Sequence, residues 1–274
     1  MLTNEAMNRR PRQGWTMAVR SGSLAAIMLA LLPGAAFASA DIDAAAAAYK
    51  QAAAADIDQV VAGAERLAAL LEKGDVAAAR RAWVAARVGW ERSETFTATL
   101  FPDFDKTVDP WPDGKTGFHA IEAQLFAEPA GRPVDAAKAL VEQLRLFRAA
   151  FAKADFTGAT LIGGVAALAY EVGESKSQGG ESRPSGTSLG DMQHNVEGLG
   201  RAWRSVFAPA LAAKDARLAQ RVEQDLARVE QQVSVAMLAA VDQPLLEKTA
   251  ERLAGSIADA AVSLGYPAPD FAAE

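Results

Sequence analysis

Between Asp41 and Leu71, the apolar residues Ile57, Val60, Val61, Ala64, Leu67, Ala68 and Leu71 recur three and four positions apart. That period constrains the fold more than any other feature. A helix turning once per about 3.6 residues gathers such positions on one face, whereas a strand needs strict alternation. Alanine is abundant and β-branched residues are sparse, which favours helix throughout. The expected class is therefore all-α.

The same reading divides the rest of the chain. Lys73-Gly74-Asp75 ends the first helix and caps a second from Val76 to Thr97 or beyond, with Trp83, Val84, Val88 and Trp90 on its buried side. The Pro- and Asp-rich stretch from Phe101 to Gly114 is expected as loop. Thr116 is expected to cap a helix ending near Pro129, and another covers Val134 to Ala154. A helix over Leu161 to Ser175 precedes a polar stretch, Lys176 to Gly190, and helices follow over 191–213, 216–240 and 244–264. The sequence is thus expected to pack as two antiparallel helical bundles, residues 41–155 and 156–274. Gly163-Gly164 reads as a close helix contact or a helix start. Trp83, Trp90 and Trp203 read as core residues.

Residues 1–40 have the three-part pattern of a secretory signal. Arg9, Arg10, Arg12 and Arg20 precede an apolar run, Leu24 to Leu32, and a small-residue end, Ala36 to Ala40. The run is too short for a permanent membrane anchor. The expected location is the periplasm, or the cell surface. The leader's four arginines and one glutamate carry a net +3, so the whole chain's −6 becomes about −9 without it. That balance argues against nucleic acid as a partner and suits cations. With no cysteine in the chain, disulfides, thiolate metal sites and a lipidated amino-terminal cysteine are excluded.

Two pairs of residues carry chemistry. His119 and Glu122 lie three apart on the helix after Thr116, so both side chains leave one face and can ligate one cation. Glu91 and Glu94 repeat that spacing on the second helix, although Arg87 and Glu91 also fit an ordinary four-residue ion pair. The loop between them carries Asp103, Asp105, Asp109 and Asp113. Oxygen-rich ligation with one nitrogen suits iron, zinc, manganese or calcium. The other histidine, His194, reads as a surface or packing residue.

Three stretches, Arg87-Val88-Gly89-Trp90-Glu91-Arg92-Ser93-Glu94, Gly117 to Phe126 (GFHAIEAQLF) and Asp191 to Gly198 (DMQHNVEG), together resemble the EfeO/EfeM iron-uptake family, which shares the imelysin-like domain. The resemblance is to the short form, without a cupredoxin-like domain or lipid anchor. It implies an imelysin-like fold and metal ligation by His119, Glu122, Glu91, Glu94, Asp105 and Asp103, with iron as the ion and zinc, copper or calcium as alternatives. It also implies an inner-membrane iron permease as partner. Where the family carries a Tyr-Ser-His-Thr-Asp-Leu-Trp-Asp run, this chain reads Gly180 to Asp191 without His, Tyr or Trp. That argues against a second metal position built from this loop.

Two other functions come into view. Some relatives of this type bind alginate, and a patch of Arg80, Arg81, Arg87 and Arg92 with Trp111 is the candidate surface here, with Arg145, Arg148 and Lys153 as a second patch. A strongly acidic chain repels a polyanion unless cations intervene. A metallopeptidase is not expected. A zincin needs two helical histidines with a base, and the inverted motif needs His after the glutamate, where residue 123 is Ala.

Overall fold

A computed structural model describes residues 34–110 and 115–271. Ten α-helices make up the described part, with no strand among the described residues. The first is α1 (Gly34–Lys73), followed by α2 (Val76–Leu100), α3 (Pro102–Val108), α4 (Gly117–Leu125) and α5 (Val134–Lys153). The second half supplies α6 (Gly158–Glu174), α7 (Ser188–Ala202), α8 (Ala208–Lys214), α9 (Ala216–Val233) and α10 (Gln243–Leu264). The leader expected over residues 1–40 lies outside the described residues, except that 34–40 extend α1.

Local signals explain most of the boundaries. Gly74 takes φ +76, and the Asp75 carboxylate accepts from the Ala78 N–H, so a short turn reverses the chain between α1 and α2. Thr157 and Thr160 form a reciprocal capping box that starts α6 three residues ahead of the expected Leu161.

Three expectations need correction. The stretch 101–114 is not all loop, because Pro102 stands at the first turn of α3, where its missing N–H costs nothing. Asp103 and Asp105 then favour the positive end of that helix. The helix expected over 191–213 is interrupted by a π-turn, Trp203–Phe207. Pro209 cannot donate to the carbonyl one turn back, and the Ala208 N–H reaches Trp203 O instead. Finally, α9 stops at Val233 rather than Ala240, where the Gln193 side chain donates to the Val233 carbonyl at 2.9 Å.

Helices α1, α2 and α5 pack as one group and α6, α9 and α10 as another, with α2 lying against α6 and α7. The expected boundary near residue 155 falls at the break between α5 and α6, and one apolar core runs across it from Ile42 to Ala261. Trp83, Trp90 and Trp203 are fully buried in it, while Val84 is exposed. The central position of α2 is what allows polar residues on its inner face to meet groups from α3, α4, α7 and the loop after α6.

Gly163 and Gly164 separate cleanly. A Cβ on Gly164 would lie 2.3 Å from the Thr95 carbonyl of α2, whereas one on Gly163 meets nothing within 4 Å. Gly164→Ala is therefore expected to lower stability by about 1–3 kcal/mol through forced separation of α6 from α2. Gly163→Ala should instead gain up to about 1 kcal/mol from helix propensity. Urea unfolding of both variants checks the pair, and equal effects would remove the close-packing account.

Candidate metal centre

Arg87 sits on the stripe of α2 set by Trp83 and Trp90, and its side chain is 1% exposed. A buried guanidinium needs anions on every side. Glu91 of α2 pairs with it directly, Asp109 at the end of α3 lies at 2.6 Å, Asp191 of α7 at 3.5 Å and Glu181 at 3.7 Å. Its face also rests against Trp83 and Phe118. Burial opposes its charge, but Asp109, Asp191, Glu91 and Glu181 outweigh that cost and hold its pKa well above the ordinary value.

A second buried cation, Lys176, follows α6. Its ammonium lies 2.8 Å from Glu94 and 2.9 Å from Glu181. Burial opposes this charge as well, and Glu181, Glu94 and Glu91 outweigh it. Asn195 of α7 donates through Nδ2 to Glu91 Oε2 at 2.9 Å and to Glu94 Oε2 at 2.8 Å, holding the two glutamates side by side.

The carboxylates respond differently. Burial pushes Glu91 and Glu94 well above the ordinary carboxylate range; Arg87 and Lys176 respectively oppose the rise, and neighbouring acids add to it. For Glu181 burial works the same way, but Lys176 and Arg87 prevail and hold it low. Against Arg87 and Lys176 stand Glu91, Glu94, Asp109, Glu181 and Asp191, so full ionisation of these buried groups would leave a negative excess.

His119 enters from the first turn of α4. Thr116 takes the capping position with extended backbone but makes no side-chain cap bond. Gly117 is the indispensable residue of this turn: its φ is +67, and a Cβ there would stand 2.0 Å from the Val108 carbonyl. That approach sets the start of α4 against the end of α3 and brings His119 Nε2 to 3.1 Å from Asp109 Oδ1. The indole N–H of Trp83 donates to the Phe118 carbonyl and pins α4 to α2.

Glu122 turns toward the other nitrogen of the ring, with His119 Nδ1 2.9 Å from Oε2. Its Oε1 accepts from the backbone N–H and the hydroxyl of Ser185, at 2.9 and 2.6 Å. Burial would raise its pKa, but the bonds from His119 and Ser185 hold it below the ordinary value. Glu122 is thus an orienting neighbour of the ring, and His119 Nε2 and Asp109 Oδ2 are left as buried polar atoms with no hydrogen-bond partner.

Of the six metal candidates read from the sequence, the fold brings His119, Glu122, Glu91 and Glu94 to this cluster. Asp105 lines a cavity of about 610 Å³ together with Glu94, Asp109, Lys176 and Glu181. Asp103 is exposed and is not among the cavity's lining residues. Asp109 and Glu181 complete two groups whose ligand atoms lie within 4.8 Å of one another: Asp109, His119 and Glu181, and Glu91, Glu94, Asp109 and Glu181. Glu181, Lys176, Asp191 and Asn195 were not singled out as site residues in the sequence. Asp191 and Asn195 lie in the DMQHN stretch, whose histidine, His194, instead meets Glu197 outside the cluster.

The basic patch does not form as expected. Arg87 is buried and cannot face a polysaccharide. Arg80 donates to the Leu125 carbonyl, and Arg92 pairs with Glu197 and Asp56, while Arg81 is exposed. Trp111 lies outside the described residues. Arg145 and Arg148 are engaged with Glu65 and Asp58. No helix among the described residues is long and apolar enough to cross a membrane.

Comparison with known proteins gives a consistent result. The chain is 29% identical over 187 residues to the iron uptake system component EfeM of Pseudomonas syringae, covering 64% of each chain. It is 30% identical over 192 residues to the iron uptake system component EfeO of Yersinia pseudotuberculosis, covering 66% of this chain and 51% of that one. The EfeO of Escherichia coli is similar at 29% identity, with 51% of its length covered. The chain thus spans between half and two thirds of these relatives, which are named as uptake components and not as enzymes. A solved structure of an iron-regulated protein A precursor from Parabacteroides distasonis shares the fold, with a TM-score of 0.61 at 15% identity, over 83% of this chain and 94% of that one. The imelysin family profile, which also carries a peptidase designation, matches residues 45–116 and 114–264, and the chain belongs to that all-α family.

Proposed function

We propose that this chain binds a metal ion, iron in its cellular role, within the cluster around His119, and presents it to an inner-membrane permease after export to the periplasm. The observation that carries this reading is that His119 Nε2 and Asp109 Oδ2, buried beside Glu181, make no hydrogen bond, Nε2 having only its 3.1 Å contact with Asp109 Oδ1. Buried polar atoms without partners are costly, and a cation between them would satisfy both. The names of the relatives, iron uptake system components, supply the metal and the transport context.

In this reading Asp109, His119 and Glu181 are the ligands, and Glu91 and Glu94 flank them. Glu122 fixes the ring so that Nδ1 donates and Nε2 keeps its lone pair for the ion. One nitrogen among carboxylate oxygens suits iron, zinc or manganese. The negative excess of the buried cluster favours a bare multivalent cation over an anionic chelate.

Isothermal titration with ferric, ferrous, zinc and copper ions tests this. His119→Ala and Asp109→Asn should each abolish tight binding. Glu122→Ala, acting through the ring, should weaken it by about 10–100-fold, and Asp103→Asn should leave it unchanged. Unaltered affinity in the His119→Ala, Asp109→Asn double variant would sink the assignment.

A pH dependence follows with a definite sign. Glu91 and Glu94 are raised in the folded chain, so above their ordinary value of 4.5 they hold protons that the unfolded chain has released. Stability of the ion-free protein therefore gains from them at low pH and loses that gain as pH rises through the raised range. Glu181 and Glu122, held low, act below 4.5 with the opposite sign. The charge of an ion bound beside Glu91 and Glu94 favours their ionised forms, so metal affinity should rise with pH and binding should release protons. Titrations in buffers of different ionisation enthalpy measure that release. Glu94→Gln should flatten the fall in melting temperature as the pH rises above 4.5, and an unchanged slope would contradict the account.

A further inference from the structure

We infer that Lys176 is a tethered occupant of a second cation position, so that the chain takes one ion at His119 and holds its own ammonium where another would bind. This inference rests on the metal-site reading above and extends it to stoichiometry. The possible ligands form two overlapping groups that share Asp109 and Glu181: one contains His119, the other Glu91 and Glu94. Apart from the shared Glu181, Lys176 contacts only members of the second group. Its Nζ lies 2.8 Å from Glu94, 2.9 and 3.0 Å from the two oxygens of Glu181 and 3.9 Å from Glu91, and its side chain is 9% exposed.

The ammonium therefore has the ligand shell of a bound cation and donates to carboxylates from α2 and from the loop after α6. The unpartnered atoms, His119 Nε2 and Asp109 Oδ2, belong to the first group. An ion held by those two atoms shares Glu181 with Lys176 but leaves the contact of Lys176 with Glu94 in place. An ion entering the second group must expel Lys176 and leave a buried ammonium to find new partners, which strongly opposes its entry. Charge points the same way. Five buried carboxylates against Arg87 and Lys176 leave an excess that one multivalent ion largely offsets. Without Lys176 the excess grows by one, and a second ion becomes favourable.

The test counts zinc, which carries no redox change, after removal of unbound metal. The natural chain is expected to hold one zinc per molecule, and Lys176→Met, which keeps the aliphatic stem, is expected to hold two. Adding Glu94→Gln to Lys176→Met should return the count to one. In parallel, Lys176 of the natural chain should stay shielded from an amine-acylating reagent at saturating zinc, read by peptide mass. Two zinc ions on the natural chain, one on a folded Lys176→Met variant, or acylation of Lys176 on zinc binding would each overturn the inference. One zinc on both chains would leave the metal-site reading standing and remove only this extension. No metal on either chain would remove both. If Lys176→Met fails to fold, the acylation result on the natural chain decides.

Discussion

The guanidinium of Arg87 is the interaction on which this structure depends. A fully buried cation is tolerable only if anions are delivered to it, and here they come from α2, the end of α3, the loop after α6 and α7. Those segments are otherwise unrelated in sequence, so the ion pairs fix how they converge. The apolar core decides that the helices pack; the buried charges add a condition on which ends meet. Because carboxylates outnumber Arg87 and Lys176, the arrangement is not balanced by the chain alone. Burial raises Glu91 and Glu94, which relieves the excess by protonation. The same relief could come from a cation, and this is why a structural network and a binding site can be one object.

Backbone geometry supplies what charge cannot. His119 would not reach Asp109 if α4 began one side chain further from α3. Gly117 removes that obstacle, since any Cβ would collide with the Val108 carbonyl. Glu122, three residues on, then sets the rotation of the imidazole, and Ser185 sets Glu122. The loop over 180–190 contributes Glu181 to the cluster and Ser185 to the orientation of Glu122.

The helices were legible because apolar period, glycine turns and caps are local signals. Their failures were also local: Pro102 starts a helix within a stretch that reads as loop, and Pro209 forces a π-turn into a stretch that reads as one helix. The site was legible only in part. Spacing relates residues on one helix, which is how His119 with Glu122 and Glu91 with Glu94 could be found. It says nothing about which carboxylate of a distant loop arrives, so Asp109 was not distinguished from Asp103, and Glu181 and Lys176 passed as polar loop residues. Arg87 did carry a readable signal. It lies four residues after Trp83 and three before Trp90, on the face those tryptophans define as buried, and a charge on that face implies partners within the core.

A carrier must bind firmly enough to collect an ion and loosely enough to surrender it, and the two tethered cations bear on that balance. Arg87 takes one oxygen of Asp109 and contacts Glu91, while Lys176 holds Glu94 and Glu181. Each withdraws negative charge from the ligands that an ion would use. A cluster of the same carboxylates without them would carry a larger uncompensated charge and release a multivalent cation less readily. A cavity of about 610 Å³ lies beside these carboxylates, lined by Asp105, Glu94, Asp109 and Glu181. On the proposed reading, Arg87 and Lys176 are therefore part of the binding function as well as of the fold, since they set how much of the acidic excess is left for the cargo.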